Sequence, residues 1–241
     1  MNIRLKRYKK DFEHTYAFGV FPTLELLLHQ PQHVIGVVTH PDGNENAGIT
    51  QIRAICHKNG ILCEQQLNVF SRLKARGNDY AIGVYRKNYP ALDPVTNHVL
   101  LVNPSGMGNL GTIIRTMLGF GCRDLAIIKP AADHFNPKVV RASMGAVFQM
   151  RIAAFQDFDT YGHAYPRNFY PLMTDGDTKL HGASFYSPYT LIFGNESSGL
   201  DDVYRQQWTS VSIPQSGAVD SLNIAISVGI VLYQASLARK Q

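Results

Sequence analysis

Five polar residues in the second half of the chain lie in three glycine-containing segments and could act on one ligand. They are Asn109 and Arg115 in residues 103–115, Glu196 in residues 191–200, and Ser221 and Asn223 in residues 211–233. An amide, a guanidinium and the free N–H groups at a helix start can together bind one anion or polar ligand. Each segment alone is also compatible with ordinary helix capping or a tight turn. The chemistry therefore depends on whether the fold brings the segments together.

The first segment also contains a second candidate function, because Gly106, Gly108 and Gly111 form the G-x-G-x-x-G pattern of dinucleotide-binding loops. That fingerprint requires an acidic residue about 20 positions later, at the end of the second strand, to bind the ribose hydroxyls. Here the next predicted strand is followed directly by Lys129 and Pro130. Lys129 could instead face a 2′-phosphate, so a dinucleotide-binding oxidoreductase stays open as a weaker alternative.

The elements that must position these segments alternate between strand and helix. Short apolar runs predict strands at 98–102, 124–128, about 148–153, 190–194 and 210–213, and helical spacing predicts helices at about 110–120 and 222–238. The second helix has Ser221 as its expected N-cap. This pattern predicts a mostly parallel sheet covered by helices on both faces. Ligands of such sheets bind outside the carboxyl ends of the strands, where all three segments lie.

The first part of the chain is a separate alternation of helices and strands. Helices are predicted at 21–30, 47–60 and 67–77, and strands at 33–40, 61–65 and 80–86. A turn-rich stretch with two prolines, residues 87–97, then interrupts the pattern. We therefore predict an α/β protein with a small domain at 1–95 and a larger one at 96–241.

The composition is that of a globular protein with an uneven distribution of charge. The chain has 241 residues, is 45% hydrophobic and carries a formal net charge of +5. Residues 1–95 contain 12 Lys and Arg against 8 Asp and Glu, whereas the remainder contains 11 against 10. Five of the basic residues surround Tyr8 in the first ten positions, namely Arg4, Lys6, Arg7, Lys9 and Lys10. This excess favours contact with phosphates, although a solvated terminus gives the same pattern.

The cysteines and the apolar stretches indicate a cytoplasmic protein without a membrane anchor. Cys56, Cys63 and Cys122 are an odd number without a C-x-x-C pair, so neither a disulfide framework nor a zinc site is indicated and no metal is expected. We expect these cysteines to be reduced and mostly buried. No leader-like segment opens the chain, and Asn223, Ser227 and Gln234 interrupt the most apolar late stretch.

Four segments in this order resemble the successive motifs of one enzyme class. They are NPSGMGNLGTIIRTMLGFG, RASMGA, IFGNESSGL and SIPQSGAVDSLNIAISVGIVLY. They resemble the SpoU, or TrmH-like, class of SPOUT RNA methyltransferases, and the resemblance covers residues 98–238 nearly continuously. Its most specific part is the S-L-N element followed by an apolar helix. The stretch YAFGVFPTLELLL, residues 16–28, more loosely resembles the ribosomal-protein-like RNA-binding domain that many of these enzymes carry.

The resemblance implies an S-adenosylmethionine-dependent methyltransferase that acts on a ribose 2′-hydroxyl in rRNA or tRNA. It also implies a homodimer and a SPOUT domain with a C-terminal trefoil knot, a topology that periodicity alone could not predict because knots are rare. By motif position, main-chain groups of Gly194, Ile213 and Leu222 would bind the cofactor. Ile213 and Leu222 would also pack on the adenine.

The resemblance further assigns roles to the five polar residues. The family's matching arginine, here Arg115, is assigned to activation of the 2′-hydroxyl, yet a guanidinium is very hard to deprotonate. We therefore expect Arg115 to hold an RNA phosphate, with that phosphate or a water taking the proton. Asn109 and Glu196 would position the ribose and the arginine, while Ser221 and Asn223 would order the third loop. A non-catalytic RNA-binding or assembly protein that retains the fold is the competing interpretation.

Overall fold

In a computed structural model, which describes residues 5–238, the chain forms two compact units. The first unit contains residues 5–88 and 133–149, and the second contains residues 89–132 and 150–238. The predicted boundary near residue 95 lies close to the first change of unit. The segment 133–149, which the sequence pattern assigned to the second domain, packs instead with the first unit.

The first unit is built on a four-stranded sheet. Its elements are β1 (His14–Phe18), α1 (Val20–His29), β2 (Val34–Thr39), α2 (Ala47–Lys58), β3 (Cys63–Gln65), α3 (Leu67–Leu73) and β4 (Ala81–Arg86). The sheet order is β1-β4-β2-β3, in which only the pairing of β2 with β3 is parallel. Tyr16, Val38 and Ile82 from three of these strands are fully buried in one apolar cluster with Phe70 of α3. The helix and the sheet thus share one apolar core, which is formed by the apolar residues that recur along each element.

The second unit is built on a seven-stranded sheet whose pairings are all parallel. Its elements are β5 (His98–Val102), α4 (Met107–Gly119), β6 (Asp124–Ile128), β7 (Arg151–Phe155), α6 (Phe158–Ala164), β8 (Asn168–Leu172), β9 (Thr178–Lys179), β10 (Tyr189–Phe193), α7 (Val203–Gln207), β11 (Val211–Ser212) and α8 (Ile224–Ala238). Helix α5 (Pro137–Ala142) lies between β6 and β7 in the chain but belongs to the first unit. The strand order is β7-β6-β5-β10-β8-β11-β9. The central strands are buried along almost their whole length, as expected for parallel strands rich in branched apolar residues.

The strand order places the carboxyl ends of β5 and β10 side by side. β10 pairs with β5 through Phe193 and Leu101, although the two strands are separated by almost ninety residues of chain. From β5 the sheet grows through β6 and β7 on one side and through β10, β8 and β11 on the other. The order of the strands along the chain therefore reverses between β5 and β10, and such a reversal leaves a crevice outside the carboxyl ends of the two strands, where ligands of parallel sheets bind. The prediction of a mostly parallel α/β sheet is confirmed.

Two helices begin at different residues from those predicted. α4 begins at Met107, three residues before the expected start, with Gly106 as its N-cap. α8 begins at Ile224, and Asn223 rather than Ser221 caps it, because the Asn223 side-chain oxygen accepts a hydrogen bond from the Ala225 N–H at 2.8 Å. The prediction that Ser221 is the N-cap was therefore wrong, and Asn223 lies just before the first turn instead of within it.

Candidate functional site

The three glycine-containing segments meet at the carboxyl ends of β5, β10 and β11. The segment after β5 leads into α4, the segment after β10 forms a tight loop, and the segment after β11 leads into α8. The tight loop is closed by backbone pairing between Asn195 and Gly199, with N···O distances of 3.1 and 2.9 Å. A Cβ at Gly194 would lie 2.1 Å from the Gly199 carbonyl carbon. Only glycine fits at position 194 without moving this loop.

Glu196 is bound at the start of α4. Its carboxylate accepts hydrogen bonds from the Ser105 N–H at 3.1 Å, the Ser105 hydroxyl at 3.1 Å, and the Gly106 N–H at 3.0 Å. The Asn109 side-chain amide also donates to it, at 3.3 Å. The positive end of the helix therefore already holds an anion, and that anion is supplied by the protein.

This arrangement disfavours the dinucleotide interpretation. In a dinucleotide-binding loop the N–H groups at the helix start bind a pyrophosphate, whereas here Ser105 and Gly106 donate to Glu196. A Cβ at Gly106 would come within 2.8 Å of the Glu196 Oε1, while a Cβ at Gly108 would meet nothing within 4 Å. The glycine at 106 is thus explained by the close approach of a carboxylate.

The environment of Glu196 favours its charged form. Burial raises the pKa of this carboxyl group, but the hydrogen bonds donated by backbone N–H groups and by Asn109 lower it by more, so the pKa lies below its ordinary value. A carboxylate with a lowered pKa stays ionised near neutral pH and is a poor general base. Its contacts suit it to positioning other groups.

Asn109 and Asn223 connect the first and third segments. The Asn223 side-chain nitrogen donates to the Asn109 side-chain oxygen at 3.1 Å, while its own oxygen caps α8. Because Asn109 in turn donates to Glu196, all three segments join in one chain of hydrogen bonds. The structure thus brings together Asn109, Glu196 and Asn223, one residue from each of the three segments.

Asn195 is a further member of the site that the sequence analysis did not identify. Its side-chain nitrogen donates to the Asn103 carbonyl at 2.6 Å, and its side-chain oxygen accepts from the Ser197 N–H at 2.8 Å. Asn103 has a left-handed backbone with φ of 49°, which turns its carbonyl away from a continuation of β5. The only signal in the sequence was the position of Asn195 directly before Glu196.

A cavity of about 490 Å³ opens beside these residues, within the range typical of small-molecule sites. Seven of the eight predicted site residues line it, namely Asn109, Gly194, Glu196, Ile213, Ser221, Leu222 and Asn223. Leu172 and Phe193 add apolar surface, and the tight loop adds main-chain groups. A wall that combines apolar side chains with main-chain donors and acceptors fits an adenosine-containing cofactor.

Arg115 is the predicted residue that does not line this cavity. It lies six residues after Asn109 on α4, about 9 Å further along the helix axis at 1.5 Å per residue. Its side chain is exposed, and it makes no hydrogen bond or ion pair with any residue between 5 and 238. The guanidinium is therefore available to a bound ligand.

Residues 5–238 contain neither a metal-binding cluster nor a membrane-spanning helix. No group of three or more His, Cys, Asp or Glu residues there is arranged to hold a metal ion. No helix in the same part is long and apolar enough to cross a membrane.

Comparison with known proteins identifies RNA methyltransferases as relatives. A Streptomyces viridochromogenes 23S rRNA (uridine(2479)-2′-O)-methyltransferase is 34% identical over 146 residues, which are 57% of this chain and 51% of that protein. The crystal structure of an AdoMet-bound rRNA methyltransferase from Sinorhizobium meliloti superposes with a TM-score of 0.79 at 26% identity, covering 94% of this chain and 88% of that one. A structure concerned with 2-OH methylation of C/U34 on tRNA has a TM-score of 0.56 at 28% identity, covering 61% and 99%.

The extent of these matches fixes the family. The chain spans about half the length of the first curated relatives it matches. The sequence profile of the SpoU rRNA Methylase family matches residues 96–233, and this range contains all the residues of the candidate site. The chain belongs to the SpoU rRNA Methylase family.

Proposed function

We propose that this chain is a cytoplasmic, S-adenosylmethionine-dependent enzyme that methylates a ribose 2′-hydroxyl in structured rRNA or tRNA. The observation that carries the proposal is the cavity whose wall combines the hydrogen-bonded residues Asn109, Glu196 and Asn223 with the expected cofactor positions. The relatives support it, since one is named as a 23S rRNA 2′-O-methyltransferase and another was crystallised with AdoMet.

Gly194, Ile213 and Leu222 would hold the cofactor in this cavity. Bound S-adenosylmethionine supplies a methyl group that its sulfonium already activates. Ile213 and Leu222 would offer apolar contact to the adenine, and the lack of a side chain at Gly194 lets the main chain of the tight loop close at that point. The chain therefore has to align the ribose oxygen and provide for removal of its proton.

The residues around the cavity divide these tasks. Asn109, which is oriented by Glu196 on one side and Asn223 on the other, would position the ribose. Arg115, exposed and unengaged by residues 5–238, would bind an RNA phosphate next to the reactive sugar. Neither the Arg115 guanidinium nor a carboxylate of lowered pKa is an efficient base. The proton would pass to the phosphate or to a water.

We further propose the architecture that the resemblance implies. The enzyme would be a homodimer, with helices on both faces of the parallel sheet and a C-terminal segment that forms a trefoil knot. The approach of the segment before α8 to the segments after β5 and β10 supports such threading. Residues 1–95 would be an RNA-binding domain and residues 96–241 the methyltransferase domain. Arg4 of the basic N-terminal cluster lies outside the described residues, whereas Lys6, Arg7, Lys9 and Lys10 are exposed.

The test is transfer of labelled methyl from S-adenosylmethionine to rRNA and tRNA from a strain that lacks the gene. We expect incorporation into one RNA class, and a reverse-transcription stop at low deoxynucleotide concentration that is present in the parent strain and absent in the knockout. Calorimetry should detect binding of S-adenosylmethionine and of S-adenosylhomocysteine without added metal. Binding of a nicotinamide dinucleotide, with neither of these compounds bound, would overturn the proposal.

A further inference from the structure

Cys56 and Cys63 form a thiol pair in the first unit, whereas the residues of the candidate site belong to the second. Cys56 lies in the last turn of α2 and Cys63 is the first residue of β3. The chain reverses between them at Gly60, whose φ is +64°, and the Ile61 N–H bonds back to the Cys56 carbonyl at 2.9 Å. Both side chains pack in the same apolar cluster, and the two thiols lie close enough for each to shift the pKa of the other.

The two cysteines differ in exposure and in electrostatic environment. Cys56 is 1% exposed, whereas Cys63 is partly accessible to solvent. Arg53, one turn before Cys56 on α2, donates to the Gln65 side chain at 3.3 Å, and Gln65 lies two residues after Cys63 on the same strand. The hydrogen bond from Cys56 and, more weakly, the charge of Arg53 lower the pKa of the Cys63 thiol to about 7, although burial opposes them. The hydrogen bond to Cys63 and burial raise the pKa of Cys56.

These features match what peroxide-reactive thiol pairs require. The attacking sulfur must be accessible and carry a substantial thiolate fraction, and the resolving thiol must be close enough to condense with the oxidised sulfur. Cys63 meets the first requirement and Cys56 the second. We propose that Cys56 and Cys63 are an oxidation site that a hydroperoxide converts to an intramolecular disulfide.

The chemistry proceeds in two balanced steps. The Cys63 thiolate attacks one peroxide oxygen, so that an S–O bond forms, the O–O bond breaks, and the released hydroxide takes a proton and leaves as water. The sulfur is oxidised by two electrons to the sulfenic acid and the peroxide is reduced. The Cys56 sulfur then attacks the Cys63 sulfur, the S–S bond forms, and the sulfenic oxygen leaves with the thiol proton as a second water. The product ties the end of α2 to the start of β3.

The third cysteine is an internal control in the same chain. Cys122, in the second unit, is 6% exposed and its thiol donates to the Asn97 carbonyl at 3.5 Å. A buried thiol of this kind reacts slowly with oxidants. If exposure and electrostatic environment determine the reactivity of Cys63, a peroxide dose that oxidises Cys63 should leave Cys122 reduced.

The experiment treats the reduced full-length protein with a small excess of hydrogen peroxide, followed by alkylation, digestion with trypsin and mass spectrometry. Lys58 separates Cys56 and Cys63 into different tryptic peptides, residues 54–58 and 59–72, so only a disulfide can keep them together. We expect this linked pair, two hydrogens lighter than the separate peptides and released by dithiothreitol. Oxidation of Cys63 should be roughly tenfold or more faster than that of Cys122.

Two variants separate the roles of the thiols. In Cys56→Ser the Cys63 sulfenic acid should persist and be captured by a dione reagent, whereas Cys63→Ser should leave Cys56 reduced at the same peroxide dose. Because serine at position 56 could disturb the core, the wild-type peptide map decides the proposal even if that variant does not fold. Sulfinic acid at Cys63 without the linked peptide would overturn it, as would equal oxidation of Cys63 and Cys122 or no oxidation of Cys63.

Discussion

At the residue scale, Glu196 is the acceptor around which the other groups of the candidate site are arranged. Four donors from the segment after β5 converge on its carboxylate, and two of them are backbone N–H groups at the start of α4. A carboxylate bound in this way orients Asn109 towards the cavity. It follows that small displacements of Glu196 should affect methyl transfer more strongly than stability or cofactor binding.

The glycines of the first segment allow a matched test of this conclusion. A methyl group at position 106 would press on Glu196 Oε1, at 2.8 Å, and on the Asn109 side-chain nitrogen, at 3.1 Å, whereas position 108 is open. We expect Gly106→Ala to lower single-turnover methyl transfer by about 10- to 100-fold, because misplaced catalytic groups cost on that scale. Gly108→Ala should leave transfer unchanged and add about 0.5–1 kcal/mol of stability, because alanine is favoured within a helix. Equal loss of activity in both variants would contradict the proposed contact.

Arg115 provides a second residue-scale prediction. Lysine keeps the charge but lacks the planar group that binds a phosphate through two N–H donors. We expect Arg115→Lys to lower single-turnover transfer by about 100-fold or more, with cofactor affinity unchanged because Arg115 does not line the cavity. Arg123→Lys, at another exposed arginine of the same unit, is the control. Calorimetry on the folded variant that showed loss of cofactor binding would assign Arg115 to the cofactor loops instead.

Most of the candidate site could be predicted at this scale from motif positions, but its contacts could not. The bond between Glu196 and the N–H groups of Ser105 and Gly106 depends on the pairing of β5 with β10, which are distant in the chain. Asn195 was missed for the same reason, since its partner is a main-chain carbonyl that becomes accessible only through the left-handed backbone of Asn103. Side-chain to backbone bonds between distant segments leave no spacing pattern in a sequence.

At the scale of the elements, most buried apolar strands were predicted, whereas the buried strand β1 and the irregular strands were not. β5 and β6 have the predicted bounds because continuous apolar runs between turns are typical of buried parallel strands. β8 was missed because Pro171 lies within it, and proline is disfavoured inside a sheet. β9 was missed because two residues are too short to show a period. The position of α5 in the first unit depends on tertiary packing, which alternation along the chain does not encode.

The end of α3 carries basic side chains that we expect to contact RNA. Arg72, Lys74 and Arg76 are exposed and fall within five residues, and Lys74 adopts a left-handed backbone that ends the helix. Each phosphate contact contributes about 0.7–0.9 to the slope of log affinity against log salt. Replacing all three by glutamine should therefore reduce that slope by about 2, as measured by filter binding across a salt series.

A parallel variant compares this segment with the basic N-terminus. Arg7, Lys9 and Lys10 carry the same number of positive charges and are also exposed. If the N-terminus dominates RNA affinity, glutamine at these three positions will lower the slope and the α3 variant will not. Deletion of residues 1–95 is a poorer test, because it would remove the packing partners of residues 133–149.

A buried polar network in the second unit predicts how stability depends on pH. His98 is fully buried, and its Nε2 must donate to the Asp93 carbonyl at 2.8 Å, which leaves Nδ1 to accept from the Tyr161 hydroxyl at 2.9 Å. Burial lowers the pKa of His98 to about 4, below the unfolded value of about 6.5. The folded state thus favours neutral His98. The stabilisation that comes from this preference is fully present above pH 6.5 and is lost as the pH falls towards 4.

We expect this loss to reach up to about 3 kcal/mol at pH 4. Urea unfolding of the wild type between pH 7.5 and 5 should show stability falling below pH 6.5. His134, in the first unit, contributes with the same sign because burial also lowers its pKa to about 4. His98→Gln should be less stable at pH 7.5 but should lose less stability than the wild type on acidification. An identical pH dependence in both proteins would exclude His98 as a source of the stability lost on acidification.

At the scale of the whole molecule, the proposed homodimer needs a surface that a second copy could cover. α8 is apolar on both sides, since Val228, Val231 and Leu232 are buried in the second unit while four other large side chains are exposed. The exposed set is Ile226, Ile230, Tyr233 and Leu237. Their spacing of four, three and four residues places them on one stripe of the helix. Contiguous exposed apolar stripes of this kind are typical of protein interfaces.

This stripe yields the last prediction. Introducing like charges by the double substitution Ile226→Glu and Tyr233→Glu should convert the dimer to a monomer, because each copy would have to bury uncompensated negative charges against the other. The control is Val95→Glu, at a side chain of the same unit that is 77% exposed and lies outside α8. Size-exclusion chromatography with light scattering at micromolar concentration should give about twice the mass of 26.8 kDa for the wild type and the control, and the single mass for the stripe variant. A monomeric wild type would refute the dimer, and a dimeric stripe variant would place its interface elsewhere than on α8.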